Sequence, residues 1–123
     1  MIVYDYKTSE IDADILYYAY EKEVVRKKEI ARVETRNMPD YIQLFDVFVE
    51  KEYRRRGIGK TLIQKLIKQA KEKENVKYIS VFPHPTEDVS IEDVNTFYLC
   101  AGFKPVDENF ASNKMNQEMR IYI

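Results

Sequence analysis

The chain has 123 residues, a net charge of −1 and about one third charged side chains. This length is close to the commonest domain size, so one domain spanning residues 1–123 is expected. Apolar residues make up 45% of the chain, enough for one core. No apolar run approaches the roughly 18 residues of a membrane span. The near balance of acids and bases disfavours a general nucleic-acid binder, which normally carries a basic excess.

Two further features bear on the compartment. The segment from Met1 to Lys7 lacks the basic and apolar regions of a secretory signal. Cys100 is the single cysteine, which excludes an intrachain disulfide framework and a cysteine-based zinc site. We therefore expect a cytosolic protein without a bound metal. Cys100 stands between aromatic and aliphatic residues, so we expect it to pack in the core rather than act as a nucleophile.

The first predicted elements are short. Alternating apolar and polar residues predict a strand from Ile2 to Tyr6. Between Thr8 and Lys22, Ser9 followed by Asp12 fits a helix N-cap, and apolar residues recur at helical spacing, which favours a helix. The competing interpretation is a strand at Ile15 to Tyr20, because isoleucine and tyrosine favour sheets.

Three strands and a long helix are predicted next. Val24 to Lys27 and Ile30 to Arg36 form a hairpin in this interpretation, joined by a polar turn that includes Lys28 and Glu29. After another turn, Tyr41 to Glu50 is a strand rich in aromatic and β-branched residues. From Gly57 to Glu74, apolar residues spaced three and four apart predict an amphipathic helix.

The last third of the chain alternates strands and one helix. Val76 to Phe82 is a predicted strand that the following prolines end. A capping box, Ser90 with Asp93, opens a short helix that extends to about Cys100. Phe103 to Val106 and Met119 to Ile123 are closing strands. This order predicts a mixed sheet with helices on its faces.

The segment with the most chemical information joins the strand ending at Glu50 to the helix beginning at Gly57. It contains three arginines, Arg54 to Arg56, followed by Gly57-Ile58-Gly59. Glycines let the backbone approach a ligand closely, and the first helical turn presents unpaired N–H groups at the positive end of the helix dipole. Arginines add charge-assisted hydrogen bonds to phosphate. The pattern predicts a pyrophosphate-binding turn, and the alternative is a solvated surface turn. It matches neither the Walker loop nor the dinucleotide fingerprint.

Two segments resemble the GNAT acetyltransferase superfamily. Arg54 to Gly59 fits the family signature [Q/R]-x-x-G-x-[G/A], and Phe97 to Phe103 resembles its F-Y-x-x-x-G-F segment. Their order and spacing are typical of the family, and the resemblance extends from about Val24 to the end. It implies an α/β (α+β mixed) fold in a single acetyltransferase domain, with a central, mostly antiparallel sheet that splays at its middle. Helices would lie on both faces, and the N-terminal helical region would be shortened.

The same resemblance implies an acetyl-CoA-dependent N-acetyltransferase that acts on a primary amine of a small molecule or peptide by direct attack in a ternary complex. The alternative is a non-catalytic acyl-CoA-binding sensor or interaction module with this fold. The expected partners are acetyl-CoA and an amine, and a homodimer is compatible with the resemblance. The charge balance and the absence of a long apolar run predict no nucleic-acid or membrane partner. Main-chain groups of the strand would hold the pantetheine arm, and the turn would hold the pyrophosphate. The implied cofactor-binding residues are Val47, Phe48, Val49, Arg54, Arg55, Arg56, Gly57, Ile58, Gly59, Lys60 and Thr61.

Acetyl transfer needs a deprotonated amine, a stabilised oxyanion and a stabilised leaving thiolate. By resemblance, Tyr98 is the candidate general acid; the alternative is that it only packs. Asp46 is a candidate base because a carboxylate in an apolar strand would have a raised pKa, unless it is ion-paired or exposed. His84, the only histidine, is a second candidate base that titrates near neutral pH, or an ordinary surface histidine. An ordered water is the third option, and a backbone N–H near Val49 would stabilise the oxyanion.

Overall fold

The computed structural model describes residues 2–8, 14–22 and 27–123. Within these residues, no helix has both the length and the apolar character needed to cross a membrane. The elements, in chain order, are β1 (Ile2–Thr8), β2 (Asp14–Lys22), β3 (Lys27–Asn37), β4 (Tyr41–Val49), a 3₁₀ turn (Lys51–Tyr53), α1 (Ile58–Lys71), β5 (Tyr78–Val81), α2 (Ile91–Cys100), β6 (Lys104–Pro105) and β7 (Met119–Tyr122).

Seven strands of the described residues form one mixed sheet in the order β1-β2-β3-β4-β5-β7-β6. Every neighbouring pair is antiparallel except β4 with β5, which is parallel. A parallel pair needs a crossover connection, and α1 supplies it. The predicted fold class, a mixed α/β domain with a mostly antiparallel sheet, is therefore confirmed.

The helix predicted between Thr8 and Lys22 is wrong, and the competing strand interpretation is right. Asp14–Lys22 is β2, which pairs with β1 on one side and β3 on the other. Its isoleucine and tyrosine residues favour a sheet, and cross-strand neighbours on both sides outweigh a local capping signal. That capping signal, Ser9 with Asp12, lies outside the described residues. The shortened N-terminal helix is therefore not present in this segment.

The predicted hairpin beginning at Val24 is also wrong. Lys27–Asn37 is one continuous strand, so the polar stretch from Lys27 to Glu29 is not a turn; residues 24–26 lie outside the described residues. Lys28 pairs in register with Glu21 of β2 and forms an ion pair of 3.6 Å with Glu50. The polar residues occupy the solvated end of a long strand, where exposed side chains are accommodated as readily as in a turn.

The core lies on one face of the sheet. Burial alternates along β3: Ala31 and Val33 are fully buried, whereas Arg32 and Glu34 are exposed. The other buried side chains of the same core include Leu44, Leu62, Ile63, Leu66, Ile79, Val81, Tyr98, Phe103 and Met119. Both α1 and α2 contribute to this one core, so they lie on the same face, which we call the covered face. The opposite face, with Arg32 and Glu34, is not covered by any helix of the described residues, and we call it the open face.

The sequence predicted helices on both faces, and the arrangement of the strands explains the difference. The crossovers β4–α1–β5 and β5–α2–β6 both proceed in the same direction across the sheet. Crossovers between parallel strands are nearly always right-handed, so two that proceed in one direction place their helices on one side. The direction of a crossover depends on strand order, which the sequence pattern does not contain.

The predicted helix signals agree with the observed elements. α1 begins after Gly57, which has a left-handed φ of 76°, and ends at Lys71, three residues before the predicted Glu74. At the start of α2, the Ser90 hydroxyl accepts a hydrogen bond of 3.2 Å from the Asp93 backbone N–H, which confirms the capping box. Cys100, in the last turn of α2, is exposed, so its predicted place in the core is wrong.

A polar cluster on the open face joins β5 to β7. The Glu118 carboxylate accepts hydrogen bonds from Ser80 Oγ at 2.7 Å and from Arg120 Nε at 2.8 Å. The Arg120 guanidinium also lies 4.2 Å from the centre of the Tyr78 ring. Partial burial would raise the pKa of Glu118, but the hydrogen bonds from Arg120 and Ser80 outweigh it and hold the pKa below its usual value.

We expect Glu118→Gln to reduce both the stability and its pH dependence. A carboxyl whose pKa is lower in the folded chain stabilises the fold above its unfolded pKa of about 4.3, and this contribution is lost as the pH falls. At pH 7 the substitution should cost about 1 kcal/mol, because charge-assisted bonds are replaced by neutral ones at a partly solvated site. Urea unfolding at pH 7 and pH 3 measures how far the free energy of unfolding falls between the two pH values. This fall should be smaller for the variant than for the wild type, and equal falls would contradict this role.

Candidate functional site

The strands β4 and β5 part at the middle of the sheet. Their pairing begins at Tyr41 with Tyr78 and ends at Leu44 with Val81, where β5 stops and β4 continues to Val49. A cavity of about 570 Å³ lies beyond this point. Its walls are the end of β4, the turn into α1, the loop after β5 and one side of α2. The sheet therefore splays as the sequence resemblance implied, and the opening is a cleft.

A bulge in β4 shapes one wall of the cleft. The register with β3 shifts so that Thr35 pairs with Leu44 while Glu34 pairs with Asp46, which leaves Phe45 as the extra residue. A bulge bends its strand and increases its twist. Here the bend coincides with the point where β4 leaves β5, and it directs Asp46 to the cleft.

The start of α1 forms the floor of a candidate anion site. The first helical turn, Ile58 to Lys60, presents N–H groups that have no intrahelical acceptor. Gly57 precedes it in the left-handed region, where residues with a Cβ are strained, and Arg55 has a positive φ of 62°. A Cβ on Gly59 would lie 3.2 Å from Phe97 and 3.4 Å from Val47, so this glycine lets α1 approach β4 and α2 closely.

Arg54 connects the turn before α1 to the loop after β5, across one end of the cleft. Its Nη1 lies 2.9 Å from Asp88 Oδ2, and its Nε donates a 3.0 Å hydrogen bond to the Val49 carbonyl oxygen. Asp88 belongs to the loop after β5, where Thr86 Oγ1 also donates to it at 3.2 Å. The hydrogen bond from Arg54 holds the pKa of Asp88 below its usual value. The sequence analysis did not single out Asp88, because only the fold brings this loop to the turn before α1.

Tyr98 both packs in the core and lines the cavity. Its side chain is 4% exposed, and its ring contacts Phe97 and Phe103 edge-on at centroid distances of 5.2 Å and 5.5 Å. Burial raises the pKa of Tyr98, and the negative charge of Asp46 raises it further. The phenol therefore stays protonated at neutral pH, where it can donate a hydrogen bond but cannot act as a base.

The two candidate bases lie on opposite walls of the same cavity. Asp46 is exposed, so the desolvation that the sequence predicted for this carboxylate is absent. His84 is also exposed, and its Nδ1 lies 3.1 Å from the Phe82 carbonyl oxygen. Since a carbonyl only accepts hydrogen bonds, Nδ1 donates, and the neutral ring keeps a free lone pair on Nε2. Either residue is placed to accept a proton inside the cleft.

The cavity brings together most of the residues predicted as site residues. Arg56 and Thr61 are the exceptions: the Arg56 guanidinium lies 5.0 Å from the centre of the Tyr53 ring, and Thr61 Oγ1 donates to the Gly57 carbonyl at 2.8 Å. The predicted residues that line the cavity are Asp46, Val47, Phe48, Val49, Arg54, Arg55, Gly57, Ile58, Gly59, Lys60, His84 and Tyr98. Within the described ranges, no three histidine, cysteine or acidic side chains are grouped to hold a metal ion.

The model of the acetyltransferase (GNAT) family matches residues 4–92, which is more than half of the chain. The chain belongs to the GNAT family. No curated protein sequence matches it at a significant level. The GNAT assignment therefore comes from the family model and agrees with the fold.

Solved GNAT structures share this architecture at low sequence identity. The PaiA N-acetyltransferase of Thermoplasma acidophilum, in complex with coenzyme A, is 21% identical with a TM-score of 0.65 over 88% of this chain and 61% of that one. A GNAT acetyltransferase from Staphylococcus aureus Mu50 is 22% identical, with a TM-score of 0.67 over 90% and 68% of the two chains. Arabidopsis thaliana NAA60, in complex with a bisubstrate analogue, is 12% identical, with a TM-score of 0.67 over 89% and 76%.

The present GNAT chain is shorter than these relatives, and it spans 61% of the length of the Thermoplasma protein. In this GNAT chain, the side of β4 that faces the cavity has no partner strand beyond Leu44 within the described residues. Its backbone groups are therefore able to pair with an extended ligand, although the Val49 carbonyl already accepts from Arg54.

Proposed function

We propose that this protein is an acetyl-CoA-dependent N-acetyltransferase that acts on a primary amine by direct attack in a ternary complex. The observation that carries the proposal is the cleft between β4 and β5, closed at one end by the start of α1. Membership of the GNAT family supports it, as do the coenzyme A in the Thermoplasma relative and the bisubstrate analogue in Arabidopsis NAA60.

In this proposal, the two ends of the cleft have different tasks. The cationic side chains that line the cavity, Arg54, Arg55 and Lys60, all lie at the α1 end. There the N–H groups of the first helical turn and the guanidinium groups would bind a diphosphate. The unpaired side of β4, from Val47 to Val49, would bind the pantetheine arm as an added strand. The bound cofactor supplies an acetyl thioester, which places an activated acyl group near Tyr98.

The chemistry then needs a proton acceptor for the amine and a donor for the leaving thiolate. Asp46 or Nε2 of His84 would take the proton of the amine, directly or through an ordered water. The Tyr98 hydroxyl would donate a hydrogen bond to the thiolate. Because its pKa is raised above that of an ordinary phenol, stabilisation by the hydrogen bond is favoured over complete proton transfer.

Two measurements test the proposal. Isothermal titration calorimetry with acetyl-CoA should give a dissociation constant in the micromolar range, which is typical of enzyme substrates. A free-thiol assay should then show coenzyme A release that depends on an added amine, across a panel of small amines and peptides. Binding without amine-dependent release would support the non-catalytic acyl-CoA-binding module instead, and the absence of binding at millimolar acetyl-CoA would contradict both functions.

Asp88→Asn is expected to strengthen acetyl-CoA binding about two- to fivefold, the range that corresponds to losing one solvated ion pair. The substitution removes the carboxylate that competes with phosphate for Arg54, while the amide keeps the same shape. Calorimetric titration at low and high salt checks this, and the gain should shrink at high salt. Glu108→Gln, which removes an exposed charge from the loop before β7, is the matched control. A weaker affinity for the Asp88 variant would show that the bridge supports binding.

A further inference from the structure

Residues from both faces of the sheet line the cavity. Tyr98 belongs to the core of the covered face, whereas Asp46 is exposed and pairs in register with Glu34, an exposed residue of the open face. Both residues line the cavity, and the charge of Asp46 contributes to the raised pKa of Tyr98. The gap between β4 and β5 therefore connects the two faces, and it has a mouth on the open face.

Large aromatic side chains surround this mouth. Phe45 and Phe82 directly follow Leu44 and Val81, the last paired residues of β4 and β5, so one phenylalanine lies at the end of each strand. Phe45 lines the cavity, as does Phe48, whereas Phe82 lies next to the lining residue Pro83 at the rim. Phe48 is the open-face partner of Arg32 in the β3–β4 register. The exposed fractions of Phe45, Phe48 and Phe82 are 43%, 43% and 44%. We call these three residues together with Asp46 the aromatic mouth. Exposed aromatic side chains beside a cavity are typical of binding surfaces.

The rings of the aromatic mouth already contact cations. The Arg36 guanidinium lies 5.7 Å from the centre of the Phe45 ring, and that of Arg32 lies 5.7 Å from the centre of the Phe48 ring. Arg32 also has an ion-pair partner, Glu34, at 3.5 Å. Aromatic faces attract cations electrostatically, and the observed contacts show that these rings present a face to a cation.

The basic side chains of the cavity lie at its α1 end, where the proposed diphosphate binds and where Asp88 pairs with Arg54. Glu87 and Asp93 also line the cavity, and Asp46 is the acidic group of the aromatic mouth. A primary amine is protonated in neutral water and needs a carboxylate when it leaves solvent. The arrangement thus presents a carboxylate for an ammonium group and exposed rings for an apolar body beside it.

We propose that the acceptor is a protonated primary amine carried on an aromatic or extended apolar body, which enters through the aromatic mouth from the open face. Asp46 binds the ammonium group, and Phe45 and Phe82 contact the body. This inference rests on the proposed function, because it assigns the second substrate of the same cleft. A carboxylate next to the amine is disfavoured, since it would meet Asp46.

Binding of amines to the coenzyme A-saturated protein tests the inference without any turnover, because coenzyme A carries no acetyl group to transfer. The probes are 2-phenylethylamine, phenylalanine, which adds a carboxylate beside the same amine, and ethanolamine, which lacks the ring. Calorimetry should show that 2-phenylethylamine binds at least about tenfold more tightly than either of the others, the effect of one buried ring or one charge repulsion.

Variants locate the site. Phe45→Ala and Phe82→Ala, made singly, should each weaken 2-phenylethylamine binding several-fold and leave coenzyme A affinity unchanged, which also shows that the variants fold. Leu99→Ala removes another exposed apolar side chain, 39% exposed near the end of α2 and not at the end of β4 or β5, and should change neither affinity. Asp46→Asn should weaken 2-phenylethylamine binding and relax the discrimination against phenylalanine.

The outcomes separate this inference from the proposed function. Equal affinities for the three amines, no amine binding at millimolar concentration, or unchanged binding by both phenylalanine variants would overturn the inference, even if thiol release occurs with hydrophilic amines. Selective binding of 2-phenylethylamine without thiol release supports the aromatic mouth and overturns catalysis alone. Selective binding with release supports both.

Discussion

Gly57→Glu is expected to weaken acetyl-CoA binding at least a hundredfold, about 2.7 kcal/mol. Gly57 lies at the start of α1 with a φ of 76°, and no atom lies within 4 Å of the position where its Cβ would be. A glutamate therefore fits without a steric clash but places its carboxylate beside the N–H groups that would bind the diphosphate. Like charges at an anion site oppose binding, and titration with acetyl-CoA measures the loss.

Backbone strain is the competing effect, and Gly57→Ala isolates it. A residue with a Cβ in the left-handed region costs about 1–2 kcal/mol, so both variants should lose that much stability in urea unfolding. The loss of affinity should be confined to the glutamate variant, because alanine adds the strain without the charge. Equal affinities of the two variants would contradict the assignment of this turn to the diphosphate.

Tyr98→Phe is expected to lower kcat about a hundredfold, the lower end of the range for loss of a proton-donating group. The ring contacts with Phe97 and Phe103 remain in the variant, so its stability and its acetyl-CoA affinity should change little. Steady-state kinetics with an amine that supports thiol release, combined with calorimetry, measure the two effects separately. An unchanged kcat would remove Tyr98 from the chemistry and leave it a packing residue.

The pH dependence gives an independent check on Tyr98. Because its pKa is raised, the phenol should remain protonated up to pH 10 and beyond. The wild-type rate should therefore show no decrease from Tyr98 ionisation between pH 8 and 10. A decrease in this range that disappears in Tyr98→Phe would contradict the buried environment of the hydroxyl.

The sequence predicts correctly those elements that are stabilised by contacts between residues close together in the chain. The apolar stripe of α1 and the capping contact between Ser90 and Asp93 both join residues three or four positions apart. The sequence from Thr8 to Lys22 favours a helix over a strand because its capping pattern is local, whereas β2 is paired with β1 and β3, which lie outside this segment's own pattern. In this segment, pairing with the two neighbouring strands outweighs the local helix signal.

The site residues divide in the same way, into those that local sequence signals identify and those that depend on long-range contacts. The turn from Arg54 to Gly59 was identified because glycines and arginines before a helix have a direct physical meaning. The partner of Arg54, Asp88, was missed because the contact depends on how the loop after β5 folds back. The sequence leaves open whether Asp46 is desolvated or exposed, because its exposure depends on the bulge at Phe45, and a bulge is visible only in the register of two strands.

The parallel pairing of β4 with β5 is short, from Tyr41–Tyr78 to Leu44–Val81, and it is the seam between two parts of the sheet, β1–β4 and β5–β7–β6. Because this pairing has only four residue pairs, the two parts of the sheet are joined largely by the packing of the helices on the covered face. An extended ligand lying along β4 would add rungs where the seam ends. In mechanical terms, a cofactor bound in this way would brace the two parts of the sheet against each other as well as react.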